Sequence, residues 1–131
     1  MDSKRGAVIA GMGAVTPLGV GVPAYARALR EGRSGLRLLP FQDDRIKSSV
    51  AAQCADFDPA SILPPSDLAR VPRLIPLALA AAREAAAQAR LPVGPGLDPA
   101  AARSIGLILG TGGGGIDFTL SQAEAGHQGC A

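Results

Sequence analysis

Aromatic side chains are scarce in this sequence: tryptophan is absent, and Tyr25, Phe41, Phe57 and Phe118 make up 3% of its 131 residues. A core built on large rings is thereby excluded. The apolar fraction is 47%, but 25 of those residues are alanines, so packing has to rest on small side chains brought close together. Cysteine occurs only at Cys54 and Cys130, which gives neither a metal-ligand spacing nor a disulfide framework and fits a reducing cytoplasm. Histidine occurs once, at His127, three residues from Cys130. With no further base or acid partner beside them, a cysteine–histidine nucleophile is not expected there, and both stand near a terminus, where order is lost first. Cys54 reads as a small apolar residue.

Excess charge of one sign is lacking too. Thirteen basic and eleven acidic residues leave +2, which produces no field that would demand nucleic acid as partner. Long apolar runs are missing, because Arg83 and Glu84 interrupt the alanine-rich segment well short of the roughly 18 residues that a membrane span needs. The N-terminus lacks the apolar core and cleavage site of a secretory signal. Seventeen glycines and eleven prolines form about a fifth of the chain, below the roughly 25–30% that suggests disorder. The expectation is one folded, soluble, cytoplasmic domain that binds neither nucleic acid nor membrane and holds no metal or cofactor.

What is present is an α/β pattern. Gly6 to Gly11 is an apolar run without polar alternation, which predicts a strand buried on both faces. Pro23 opens a predicted helix over Val22–Glu31, with Tyr25, Ala28 and Leu29 inward, Arg27 and Arg30 outward, and Gly32 as a left-handed stop. Between Ser34 and Ser66 the periodicity fades, with one short strand expected near Val50 to Cys54. Pro76 to Arg90 predicts a central, buried helix whose small side chains let neighbours approach closely. Only Arg83, Glu84, Gln88 and Arg90 are left to face water. Pro72 and Pro76 predict a kinked or two-step start. Asp98-Pro99 caps one short turn, Ser104 to Gly110 predicts a second buried strand, and a last helix is expected from Ile116 to about Ala125. That order argues for an α/β layer.

Two glycine clusters invite sharper readings. Gly11-x-Gly13 after a strand suggests dinucleotide binding, but the third glycine of that pattern falls on Thr16, followed by Pro17, and no acidic residue stands at the expected distance. Gly112 to Gly115 after Thr111 could present an anion-binding nest, yet a phosphate loop would end in Gly-Lys-Ser/Thr and this run ends Gly115-Ile116-Asp117. Close backbone packing beside a pocket or interface is the better reading.

Four stretches together resemble the N-terminal part of the β-ketoacyl synthases, the condensing enzymes of fatty-acid and polyketide assembly. They are Val8-Ile9-Ala10-Gly11-Met12-Gly13-Ala14-Val15-Thr16-Pro17-Leu18-Gly19; Leu29-Arg30-Glu31-Gly32-Arg33-Ser34-Gly35; Leu77-Ala78-Leu79-Ala80-Ala81-Ala82-Arg83-Glu84-Ala85; and Ile105-Gly106-Leu107-Ile108-Leu109-Gly110-Thr111-Gly112. The resemblance implies part of a thiolase-like fold, the N-terminal half of an αβαβα sandwich with a mixed sheet and a buried alanine-rich helix, so that residues 1–131 form an incomplete synthase N-terminal domain. It implies a homodimeric parent enzyme.

The family joins an acyl group, held as a thioester on a cysteine, to a carbanion formed by decarboxylating malonyl on acyl carrier protein, with two histidines assisting. None of these three residues has a counterpart here, for Cys130 is too close to Thr111 and His127 matches no family histidine. No catalytic residue is therefore assigned. The resemblance places Arg70 and Arg73 at the docking surface for the acidic carrier protein, although Pro72 stands where an acidic residue often precedes the helix. It places Thr111, Gly112, Gly113, Gly114 and Gly115 in a loop at the acyl pocket and dimer side, with Gly113 where a bulky pocket residue is frequent. The alternative is a catalytically dead partner of the chain-length-factor kind, or an interaction module.

Overall fold

The computed structural model describes residues 6–41, 43–94 and 96–128. Among these the chain is mixed α/β, with strands β1 (Val15–Thr16), β2 (Gly19–Val20), β3 (Leu36–Leu38) and β4 (Val50–Ala52) and helices α1 (Val22–Arg30), α2 (Pro65–Leu68), α3 (Leu74–Gln88), α4 (Pro99–Arg103) and α5 (Ile116–Gln128). A 3-10 turn covers Pro59–Ser61. Contacts divide the chain into two compact units, residues 1–57 with 80–92 and residues 58–79 with 93–131. Helix α3 contributes its first residues to the second unit and the remainder to the first.

The first unit is organised by backbone lying on α3. A Cβ on Gly11 would run into the Ala85 carbonyl oxygen and stand 2.8 Å from the Ala89 nitrogen, and one on Gly13 would collide with the Ala81 carbonyl oxygen. Only glycine permits that approach. Backbone brought so near a helix leaves N–H groups that need acceptors. The side chains of α3 supply them: Met12 N–H donates to Gln88 Oε1 at 2.6 Å, and Ala14 N–H donates to Glu84 Oε2 at 2.9 Å. The second oxygen of the same carboxylate, Oε1, accepts from Val22 N–H at 2.7 Å. Helix α1 begins at Gly21, which has no side chain to cap it, so the acceptor for its first N–H comes from Glu84, 62 residues away. An acceptor at that position also complements the positive helix end.

Between these contacts the chain turns through Pro17-Leu18. Strands β1 and β2 pair antiparallel with Val15 opposite Val20 and Thr16 opposite Gly19, and Thr16 Oγ1 accepts from Leu18 N–H at 3.2 Å. Helix α1 follows as the sequence predicts, one residue shorter at its end. Ala28 is completely buried and Arg27 and Arg30 are exposed, but Leu29, expected inward, is 54% exposed. Gly32, at φ +64°, completes a Schellman stop in which Arg33 N–H reaches the Ala28 carbonyl at 3.0 Å. Arg90 takes the same role after α3 at φ +54°, with Leu91 N–H donating to the Ala86 carbonyl at 2.9 Å. Strands β3 and β4 pair antiparallel, Leu36 opposite Ala52 and Leu38 opposite Val50. Beyond them Phe57 closes the core at 6% exposure.

Several expectations need correction. Helix α3 starts at Leu74, two residues earlier than expected, and most of it is half-buried rather than buried, with Pro76 its one buried residue. Pro76 falls in the first turn, where an N–H would lack an intrahelical acceptor in any case, so the ring costs no hydrogen bond. Glu84 does not face water but turns toward the backbone of residues 14 and 22. Residues 6–11 and 104–110, expected as buried strands of a mixed sheet, belong to no strand, and both sheets among the described residues are antiparallel pairs. The reason is that a strand buried on both faces needs a ladder on its edges and a layer on each side, and no described strand pairs with either segment. Val8, Ile9, Leu107 and Ile108 are 84–99% exposed as a result. Helix α2 was not expected, whereas α4 and α5 follow their signals: Asp98 Oδ2 accepts from Ala101 N–H at 3.2 Å to cap α4, and α5 runs three residues past its expected end.

Two measurements test this packing. Gly13→Ala should cost at least about 1–3 kcal/mol of stability by overpacking. Glu84→Ala should cost roughly 1.5–3 kcal/mol per orphaned charge-assisted bond. Both losses would be read from urea unfolding midpoints, and unchanged midpoints would refute the contact. Separately, the exposed β-prone run 105–109 should drive concentration-dependent association in light scattering, which Ile108→Lys should suppress.

Candidate functional site

The candidate residues lie in the second unit. The Thr111–Gly115 run turns tightly before α5: Thr111 Oγ1 accepts from Gly114 N–H at 3.1 Å, and the Gly115 carbonyl accepts from Thr119 N–H at 2.9 Å and from its hydroxyl at 3.1 Å. Thr111 and Gly112 to Gly114 are exposed. The four glycines differ in what demands them. Gly115 has φ +89°, and a Cβ there would stand 2.7 Å from Pro72 Cβ, while one on Gly114 would stand 2.9 Å from the Thr111 side chain and 3.5 Å from Leu74 Cδ2. At Gly112 a Cβ would meet nothing, and at Gly113 only Ile116 Cδ1 at an ordinary 3.5 Å. Close packing thus accounts for Gly114 and Gly115. Gly112 and Gly113 are open positions.

Arg70 and Arg73 are both exposed, on the joint between α2 and α3, where Arg70 N–H donates to the Asp67 carbonyl at 2.9 Å. The structure brings this joint and the glycine turn together through Pro72, which sits between the two arginines in sequence and against Gly115 in space. Pro72 therefore has a packing role that the sequence disclosed only as a departure from an expected acidic residue. Beside the joint, Pro59, Leu68, Val71, Arg73 and Pro76 line a shallow cavity of about 190 Å³. The prolines that signalled irregular chain here were the only hint of it.

The other candidates carry less. Gly11 and Gly13 face the backbone of α3 and are explained by that contact. Cys54 is half-buried just past β4, His127 falls on α5, and Cys130 lies outside the described residues. Among the described residues no group of three or more His, Cys, Asp or Glu side chains could hold a metal ion. A larger, open depression of about 310 Å³ lies between β3 and β4, lined by Leu39, Phe41, Ile46 and neighbours. At its rim the Arg45 guanidinium, 2.6 Å from Asp43, holds that carboxyl below its ordinary value. Arg45 is exposed and Asp43 half-buried, and the pair builds no site. No helix among the described residues is long and apolar enough to cross a membrane.

Comparison with known proteins gives this arrangement its class. The family model described as "Beta-ketoacyl synthase, N-terminal domain" matches residues 4–129, and the chain belongs to that family. It is 32% identical over 123 residues to the 3-oxoacyl-[acyl-carrier-protein] synthase 2 of Coxiella burnetii, covering 93% of this chain and 29% of the relative. It is 40% identical over 110 residues to the "Actinorhodin polyketide putative beta-ketoacyl synthase 1" of Streptomyces coelicolor, covering 82% of this chain and 22% of that protein. A "Putative polyketide beta-ketoacyl synthase 2" of Streptomyces halstedii is 30% identical over 119 residues. The chain spans under a third of the length of each of these relatives.

The glycine turn gives a paired prediction. Gly115→Ala should lower stability by at least about 1–3 kcal/mol through the Pro72 clash. Gly113→Ala should stay within roughly 0.5 kcal/mol. Equal effects in thermal or urea unfolding would refute the distinction.

Proposed function

We propose that this chain is the N-terminal portion of a β-ketoacyl-[acyl-carrier-protein] synthase, an acyltransferase that performs decarboxylative Claisen condensation in fatty-acid or polyketide synthesis. The observation that carries this reading is the family match over residues 4–129. In this reading the residues form part of one half of a thiolase-like αβαβα sandwich in a cytoplasmic homodimer. The Thr111–Gly115 turn contributes to the acyl-pocket and dimer side, where open space at Gly113 makes room for acyl chain. Arg70 and Arg73 meet the acidic carrier protein, and their exposure on one joint supports that role.

The chemistry needs a nucleophilic thiolate to take up the acyl group and preorganised donors to stabilise the enolate and the tetrahedral oxyanion. By the family resemblance those donors are two histidines, and the sequence contains one histidine. The chain by itself is accordingly inactive. The alternative, a catalytically dead partner of the chain-length-factor kind, is separated from this reading by the coding sequence beyond Ala131. A cysteine in a Thr-Ala-Cys-like setting followed by two histidine motifs identifies the enzyme, and their absence the partner.

The assay is direct. The purified chain, given an acyl thioester and malonyl-loaded carrier protein, should yield no condensation product by mass spectrometry. Turnover that is abolished by Cys130→Ala would overturn the assignment of no catalytic residue.

A further inference from the structure

We propose that the depression in the loop between β3 and β4 is a binding site for a small zwitterion carrying one apolar substituent, an α-amino acid of the leucine or phenylalanine kind. It uses no residue of the glycine turn or the α2–α3 joint and stands independently of the synthase reading. The loop of residues 39–49 is closed at its neck by Leu39 N–H, which donates to the Ser49 carbonyl at 2.9 Å. Its bend is held by Asp43, whose Oδ1 accepts from Arg45 N–H at 2.9 Å and whose carbonyl accepts from Ile46 N–H at 2.8 Å. A rim fixed in this way has less conformational freedom to lose when a ligand enters. Its volume of about 310 Å³ lies at the lower end of the roughly 300–1,000 Å³ of small-molecule pockets, which limits the occupant to a few heavy atoms.

The lining selects the chemistry. Leu39, Phe41 and Ile46 supply apolar surface, and because Phe41 and Ile46 are 55% and 46% exposed, a ligand that covers them gains apolar burial. Around this surface the charges cancel in pairs until one of each sign is left. Of the eight charged residues from 31 to 56, Arg33 pairs with Glu31 at 3.9 Å, Arg37 with Asp56 at 3.5 Å and Arg45 with Asp43 at 2.6 Å. Asp44 and Lys47 remain. Both line the depression, and their side chains take no ion-pair or hydrogen-bond partner among the described residues. A ligand of single charge meets one attraction and one repulsion there, whereas a zwitterion sets its ammonium against Asp44 and its carboxylate against Lys47. The Ser49 hydroxyl, on the same lining, is a further donor for that carboxylate. The ionic part of this recognition is screened by salt, and the apolar part is not.

Analogues that lack one charge provide the test. The complete, isotopically labelled chain is titrated with L-leucine, L-phenylalanine, N-acetyl-leucine and leucinamide, and amide chemical shifts are followed in low and high salt. The two amino acids should produce saturable shifts confined to residues 39–49, with a millimolar dissociation constant. N-acetyl-leucine, which lacks the ammonium, and leucinamide, which lacks the carboxylate, should each bind about twofold to fivefold more weakly than leucine in low salt. Asp44→Asn should weaken leucine by that factor and leave N-acetyl-leucine unchanged, and Lys47→Met should weaken leucine and leave leucinamide unchanged. Ile46→Ala should weaken leucine about threefold to tenfold at both salt concentrations. Should Ile46→Ala disturb the amide shifts of β3 and β4 without ligand, the two charge variants decide. No saturable shift in the parent chain overturns the proposal, and so does equal binding of all four compounds or indifference of leucine to Asp44→Asn and Lys47→Met. None of these results bears on the synthase reading, which rests on the family match.

Discussion

The contact between residues 11–14 and helix α3 is the constraint on which the first unit depends. With so few rings, the chain gains little from large interdigitating side chains and has to bring backbone against backbone. Gly11 and Gly13 allow the approach, and Ala81, Ala85 and Ala89 receive it. The same approach would strand polar backbone groups, and Glu84 and Gln88 remove that cost by accepting the N–H groups of residues 12, 14 and 22. One carboxylate thereby holds the segment before β1 and the first turn of α1, so the two-residue strands between them need little pairing of their own.

A second consequence of small-residue packing is that the medium-sized aliphatics are not consumed by the core. Among the described residues the buried apolar ones are confined to Ala28, Phe57 and Pro76, while Val8, Ile9, Leu107, Ile108 and Leu109 stand in solvent. The two segments that carry them are among the most apolar in the sequence and are unpaired. Such segments are templates for further strands and layers. The chain that carries them spans under a third of the length of the relatives it matches.

In the second unit the same economy shapes the candidate site. Gly115 lets Pro72 close over the start of α5, and this fixes the joint that carries Arg70 and Arg73 next to the glycine turn. The two arginines and the glycine turn are thus coupled through one van der Waals contact. Gly113 is free of any such demand.

Local signals in the sequence sufficed wherever the determining interaction is itself local. The stop at Gly32, the cap at Asp98, the helical span of α1 and the alanine-rich helix all follow from residues within a turn or two of one another, and the four family stretches carried the class. Sequence also by itself determined the absence of a second histidine. Tertiary structure alone decided three things. It turned Glu84 from an apparent surface charge into the acceptor for backbone on two other elements, because an orphan N–H 62 residues away has no local signature. It left 6–11 and 104–110 without a ladder, because apolar composition makes a strand eligible and only a neighbouring strand makes it one. It separated Gly114 and Gly115 from Gly112 and Gly113, since four adjacent glycines are alike in sequence and differ only in what stands within reach of a Cβ.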